Sequence, residues 1–302
     1  MKRLTLRVAE GESGERLDRF IAARGGISRG LARRTLDAGG VFLDGRRCKV
    51  ASRALQAGQR VEVNLEEGGR AGAPAISLDR SRLLYADAWL VAVDKPPGVP
   101  AQPTLTRDRG TIADLAGELV GGAPLTVVHR LDLDTSGVTV LARTREAAAA
   151  LSEAFRAGDP QKTYLALTAR APSPPDGRID ARLGADPLRP GRRIVSPAGD
   201  EAATAYRTLR TGDHAALVEA RPETGRTHQI RVHLAHLGAP LVGDVRYGGP
   251  RRVLETSVPR VMLHAQRLEL QHPGTGATLV FDAPVPEDFR VAEAALIPPV
   301  TT

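Results

Sequence analysis

The 302-residue chain is 42% hydrophobic and 25% charged, the proportions of an ordinary soluble globular protein, and no apolar run approaches the roughly 18 residues a membrane span needs. A single cysteine, Cys48, excludes an internal disulfide and a cysteine-based zinc site, and fits a reducing cytosol. The net charge of +7 is concentrated: residues 1–64 hold 14 Lys/Arg against 7 Asp/Glu and the remainder carries 28 of each sign, so a basic module for a polyanionic partner is expected ahead of a larger, balanced domain.

The start, MKRLTLRVAEGESGERLD, has no apolar stretch behind its basic residues, so no secretory signal is expected and the expected compartment is the cytoplasm. Residues 15–24 (ERLDRFIAAR) place Leu17, Phe20 and Ile21 at i, i+3 and i+4 before Gly25-Gly26, which predicts a short amphipathic helix. Ser28 can cap a second helix that ends at Gly39-Gly40, with Leu31 and Leu36 toward a core and Arg29, Arg33 and Arg34 elsewhere. Guanidiniums at that spacing can track a phosphate backbone, since each offers a fork of donors to phosphate oxygens. A solvated basic surface is the plainer reading. Residues 41–43 and 59–64 read as strands, with Asp44-Gly45 as a hairpin turn. The segments GERLDRFIAA, SRGLARRTLDAGGVFLDG and LQAGQRVEV together resemble the alpha-L RNA-binding module over about residues 14–65. The polar, Gly-rich EEGGRAGAP (66–74) marks a linker region, giving a first domain at 1–70, a linker at 71–82 and a second domain at 83–302.

In the second domain WLVAVDKP reads as a strand stopped by Pro96-Pro97-Gly98, and TIADLAGELV from Thr111 as a helix. LTVVHR and VTVLAR flank the stretch HRLDLDTSG, and further strands are predicted at 163–167, 215–219, 261–263 and 278–281. Pro and Gly punctuate the rest, notably residues 172–193. Short strands with few helices predict an α+β domain with a mostly antiparallel sheet.

HRLDLDTSG (129–137) sits as a loop at the end of that sheet, where scaffolded catalytic residues are often found. Asp134-Thr135-Ser136-Gly137 is also good turn chemistry, so local composition leaves a structural loop as good a reading as a catalytic one. An aspartic protease would need a second such acid, and a serine hydrolase would need G-x-S-x-G; neither is present. His228, His233 and His236 do not make a metal site on this reading: HExxH is absent, and Arg226 and Arg231 would repel a cation. Polar donors and arginines there suit a phosphate or carboxylate grip. In QKTYLA, Lys162 and Tyr164 share one face of a strand, and a single ring beside a reactive loop could pack on a base.

Taken in order, LYADAWLVAVDKPPGVPAQP, VVHRLDLDTSGVTVLART, KTYLAL, TGRTHQIRVHLAHLGAPLVGDVRYG, VMLHAQRL and APVPEDF resemble the RluA-type pseudouridine synthases over roughly residues 83–290. The resemblance implies an RNA uridine isomerase with no cofactor and no metal. It implies Asp132 as the catalytic acid, Arg231 as its basic partner, Tyr164 packing on the target base and assisting proton removal from its 5-position, and Arg130 as a wedge or phosphate contact; Arg29, Arg33 and Arg34 are the expected RNA-binding residues on their helix spacing. Asp134 falls where the family varies. Large-subunit ribosomal RNA is the implied substrate, with transfer RNA the second candidate, no membrane partner and a monomer as the default. The competing reading is a non-catalytic RNA-binding or ribosome-assembly factor of the same fold, which would not need Asp132, Arg231 and Tyr164 together.

Overall fold

The computed structural model describes residues 2–37, 39–65, 78–102, 110–189 and 191–298. They form two compact units, one within residues 2–65 and one within 78–298. Up to residue 77 the expected linker lies outside the described residues. Residues 78–82, also assigned to the linker, instead belong to the second unit: Leu78 is buried, and Arg82 donates to the buried Asp94 at 2.6 Å.

The first unit comprises β1 (Lys2–Arg7), α1 (Leu17–Gly25), α2 (Arg29–Asp37), β2 (Val41–Leu43), β3 (Arg46–Arg47) and β4 (Arg60–Leu65). Its antiparallel sheet has the order β1-β4-β2-β3. Leu17, Phe20 and Ile21 of α1 pack with Leu36 and the valines of β2 and β4, as their spacing requires. The Ser28 hydroxyl accepts the Leu31 amide at 3.2 Å, and Gly26, at φ 63°, closes α1. Asp44 and Gly45, at φ 50° and 78°, form the expected hairpin turn. Leu31 is only half-buried; Ala32 takes the core position assigned to it.

The second unit runs through β5 (Leu83–Ala86), β6 (Leu90–Lys95), α3 (Ile112–Leu119), β7 (Thr126–Val127), β8 (Ser136–Ala142), α4 (Arg145–Ala157) and β9 (Gln161–Thr168). There follow β10 (Asp176–Asp180), β11 (Leu183–Ala185), β12 (Arg193–Val195), β13 (Ala203–Thr211), β14 (Ala216–Pro222) and α5 (Gln229–His236). The short pair β15 (Arg252–Val253) and β16 (Thr256–Ser257) precedes β17 (Leu263–Gln271), β18 (Thr278–Asp282) and α6 (Glu287–Leu296). The main sheet has the order β10-β13-β14-β9-β17-β8-β6-β5, with β18 added on β17 and β7 on β8. All its pairs are antiparallel except β17 with β8. This is the α+β, mostly antiparallel mixed sheet the sequence predicts.

One row of residues crosses the centre of the sheet. Lys95 of β6 stands opposite Gly137 of β8, then Ala265 of β17, Tyr164 of β9 and Ala220 of β14. Neighbours in such a row share a face. Gly137 makes the parallel pair possible: it sits at φ 115°, and a Cβ there would lie 2.1 Å from the Ala265 carbonyl oxygen. Alternation along β9 sends Tyr164 and Ala166 into a cluster with Ile230 and Leu234 of α5, and Leu165 and Leu167 into another with Phe289 and Leu296 of α6. Helices α5 and α6 therefore cover opposite faces of the sheet.

Sequence patterning does not predict α4, β13 or α6, although Thr144 caps α4 through the Ala147 amide at 3.1 Å and Gly158 closes it in the left-handed region. The strand expected at 261–263 begins instead at Leu263: the Met262 amide donates to the Val242 carbonyl at 3.0 Å, and the Val261 carbonyl accepts from the Leu263 amide at 2.9 Å, so neither joins the ladder.

Candidate active site

The stretch 132–135 is a tight turn, closed by the Thr135 amide donating to the Asp132 carbonyl at 3.1 Å. Its other carbonyls are held from below. Leu133 O accepts from the Gly98 amide at 2.8 Å and from Lys95 Nζ at 3.2 Å. Asp134 O accepts from Arg260 Nη1 at 3.0 Å, while Asp288 grips Arg260 through both carboxylate oxygens at 2.6 and 3.0 Å. Lys95 is fully buried and also donates to the carbonyls of Pro96 and Val99 at 3.1 and 3.0 Å. Burial, with Arg260 nearby, pulls its ammonium down to about 7, while Asp134, Asp132 and Asp94 oppose that shift. The three carbonyl acceptors match the three donors of the charged form. His129, before the turn, is fixed by accepting the Val140 amide at 2.9 Å and stacking on Phe155 of α4 at 4.3 Å. Burial holds it neutral, down to about 3.

Ser136 and His264 approach to 3.0 Å, the spacing of a nucleophile and its base. Both are buried, His264 Nε2 is 3.2 Å from the Ala283 carbonyl, and Arg260 donates to the Ser136 hydroxyl at 3.3 Å. The pair therefore serves to seat β8 on β17, and the serine is not a nucleophile.

Arginine 231 meets the turn from α5. Its Nη1 donates to Asp132 Oδ2 at 2.8 Å, and its Nε and Nη2 form a fork on Asp244 at 2.6 and 2.9 Å. Burial works against its charge, but Asp244 and then Asp132 more than offset this and raise its pKa. The start of α5 is fixed by Gln229, whose Oε1 accepts from Thr224 Oγ1 and the Arg226 amide at 2.7 and 2.9 Å. Its Nε2 donates to Ala203 O and Thr204 Oγ1 at 2.9 and 3.0 Å. His228 caps the helix at φ 59°, with Nε2 3.8 Å from Asp132 Oδ2 and Nδ1 2.7 Å from the Tyr247 hydroxyl. Asp132 Oδ1 has no hydrogen-bond partner among the described residues, so one carboxylate oxygen is held and the other is available.

A cavity of about 410 Å³ opens over this carboxylate; Arg130, Asp132, Lys162, Tyr164, His228 and Arg231 are among its lining. The predicted pairing of Lys162 and Tyr164 on one face is thus realised. Burial and the charge of Asp132 raise the Tyr164 pKa, so its phenol stays protonated at neutral pH. The ring presents a flat neutral surface and is poorly suited to accept a proton in the resting site. Arg130 is exposed, its Nη1 3.5 Å from Gln102 Oε1.

The family described as RNA pseudouridylate synthase matches residues 89–236, and the S4 domain family matches residues 15–61. A Chloroflexus aurantiacus protein described as an uncharacterized RNA pseudouridine synthase is 40% identical, over 93% of this chain and 89% of its own. The ribosomal large subunit pseudouridine synthase D of Xanthomonas campestris is 37% identical, over 96% of this chain and 91% of its own. The chain belongs to the RluA-type RNA pseudouridine synthases. Its fold is also that of human RNA pseudouridylate synthase domain containing 4, with a TM-score of 0.60 and 29% identity over 72% of this chain and 93% of that one. It is an isomerase that binds RNA through an S4 domain.

For a synthase of this family, sequence reasoning assembles Asp132, Arg231, Tyr164 and Arg130, and the structure brings all four to one cavity. It misses Asp244, Lys95, Arg260 and His228. Asp244, inside the GDVRYG run, is the one with a readable signal, an acid set between glycine turns. The three histidines go to separate tasks: His228 to Tyr247, His233 to Thr204 Oγ1 and Ala181 O at 2.8 and 2.9 Å, and His236 to the exposed end of α5. In the S4 domain, Arg29 and Arg33 converge with Arg16 on the buried Asp18, each at 3.1 Å. The side chain of Arg34 lies outside the described residues.

Proposed function

We propose that this synthase converts uridines of large-subunit ribosomal RNA to pseudouridine with Asp132 as the catalytic residue. The observation that carries the assignment is the Asp132 carboxylate at the floor of the cavity, with one oxygen anchored at 2.8 Å by Arg231 and the other free. A flipped uridine entering the cavity would meet that oxygen. Isomerisation breaks the bond from ribose to ring nitrogen, turns the uracil and joins its 5-position to the ribose; the 5-position then loses its proton and the freed ring nitrogen gains one, and an ionised, oriented carboxylate is what such a step requires. Tyr164 packs on the uracil as a neutral ring. Arg130, exposed beside the cavity, contacts the RNA backbone as the nucleotide leaves its stack. Arg29, Arg33 and Arg34 bind RNA from the S4 domain: the guanidiniums of Arg16, Arg29 and Arg33 share the single carboxylate of Asp18, which leaves positive charge for phosphates. Ribosomal RNA as target is supported by the description of the Xanthomonas campestris relative.

Tritium release from 5-labelled uridine in ribosomal RNA tests the residue. Asp132→Asn is expected to abolish release while RNA binding persists, and Asp134→Asn to retain most of the activity, since Asp134 is exposed. An active Asp132→Asn enzyme would sink the assignment. Mapping pseudouridines in ribosomal and transfer RNA with and without the protein tests the target.

A further inference from the structure

The hairpin β11–β12 bounds a second, smaller cavity of about 260 Å³, lined by Arg189, Arg192, Val245 and Arg246. Guanidiniums gathered around one cavity repel one another unless a counter-charge joins them. Among the described residues the acid ion-paired with them is Asp186, 3.6 Å from Arg192 Nη1, and its Oδ1 is already engaged by the amides of Leu188 and Arg189 at 2.9 and 3.2 Å; Asp244, just before Val245, is taken by Arg231. Arg246 donates to a neutral acceptor, the Gly191 carbonyl at 2.6 Å. The exposed Arg189 side chain has no hydrogen-bond or ion-pair partner among the described residues. Three arginines thus face one carboxylate. Two apolar side chains stand in solvent beside them, Leu188 at 87% exposure and Val245 at 62%. Guanidinium forks interleaved with exposed apolar side chains suit a nucleic-acid strand, whose phosphates take the forks and whose sugar or base covers the apolar groups.

The cavity is also wired to the active site. The Arg192 guanidinium lies 5.5 Å from the Tyr247 ring centroid, and that of Arg231 lies 5.2 Å from the same centroid. The Tyr247 hydroxyl accepts from the Arg193 amide at 2.9 Å and meets His228 Nδ1 at 2.7 Å. One ring therefore separates the hairpin arginines from the group that anchors Asp132.

We propose that the Arg189, Arg192 and Arg246 cavity is a subsite for a backbone phosphate of the RNA substrate, flanking the nucleotide held over Asp132, with Leu188 packing on the adjoining nucleoside. This rests on the reading of the chain as an active synthase with Asp132 at its centre.

The test compares full-length wild type, the double variant Arg189→Ala/Arg246→Ala, and Leu188→Ser on a large-subunit ribosomal RNA transcript. Pseudouridine formation gives KM and kcat; filter binding over a range of salt gives the slope of log K against log salt. The double variant should raise KM about tenfold, keep kcat within about twofold and lower the slope by about 1. Leu188→Ser should raise KM and leave the slope alone. Wild-type KM and slope in the double variant would overturn the subsite. A lower kcat at unchanged KM would overturn it too, since the hairpin would then act only as support for Tyr247. If wild type and Asp132→Asn are equally inert on every RNA, the parent reading fails, and the salt slope of the double variant still decides the subsite.

Discussion

Asp132 matters because of what holds it, and the chain of contacts continues through Arg231 to Asp244. Arg231 is 8% exposed and Asp244 only 1%, so their fork is a desolvated ion pair whose partners depend on each other. Removing one charge from such a pair leaves the other buried without compensation. Asp244→Asn is therefore expected to cost about 3–5 kcal/mol in denaturant-induced unfolding. It should also lower kcat sharply, because a mispositioned Arg231 no longer orients Asp132. Wild-type stability and turnover in this variant would show that Asp132 is positioned by the turn alone. Sequence reasoning reached Arg231 through its motif and missed Asp244 because the two are 13 residues apart and meet only once α5 folds back over the following loop. Tyr164 was legible as a ring beside the reactive loop, but its protonation state was not. Burial next to Asp132, a tertiary fact, keeps the phenol neutral.

At the scale of elements, α1 and α2 are tied by a single buried acid. Asp18 is fully buried yet accepts from Arg16, Arg29 and Arg33, all substantially exposed. Burial alone would raise its pKa; the hydrogen bonds and charges of Arg16 and Arg29 outweigh it and lower the group to about 2, from 3.8. The sign follows directly. A carboxylate whose folded pKa is depressed adds stability that is fully present above 3.8 and disappears as pH falls toward about 2. Hydrogen exchange of the α1 and α2 amides should show protection falling across that window, and Asp18→Asn should remove this part of the pH dependence. Protection that is flat from pH 4 to pH 2 in the wild type would refute the linkage. Helix signals in this unit were readable because caps and glycine stops are local. Helix α4 was not, although REAAAALSEAFRA has a capping Thr144 and a closing Gly158, because only Ala147 and Leu151 are buried and the apolar stripe is thin.

For the whole molecule, the charge surplus in residues 1–64 separates two jobs, with an S4 domain that holds RNA and a balanced unit that carries the cavity. Deleting residues 1–70 is expected to weaken RNA binding and flatten its salt dependence, because counterion release scales with the phosphates contacted. Filter binding at several salt concentrations checks this, and an unchanged slope would show that the second unit supplies most of the phosphate contacts. The mixed sheet has its own division of labour. The row from Lys95 to Ala220 sets the turn that carries Asp132, just before β8, level with Tyr164 two strands away, and the small residues Gly137 and Ala265 lie between them.

By itself the sequence determined the two-part organisation, the basic S4 domain, the α+β class, and the identity of Asp132, Arg231, Tyr164 and Arg130 as candidates. These follow from composition, local turn and cap chemistry, and ordered motifs, all of which are properties of short stretches. Only the tertiary structure decided which oxygen of Asp132 is held, that Lys95 and Arg260 support the turn, that buried Ser136 pairs with His264 across β8 and β17, and that the hairpin arginines share Tyr247 with Arg231. Each of these depends on residues separated by dozens of positions meeting in a desolvated interior, where burial sets the charge state and the hydrogen-bond partner. Neither quantity is written in the local sequence.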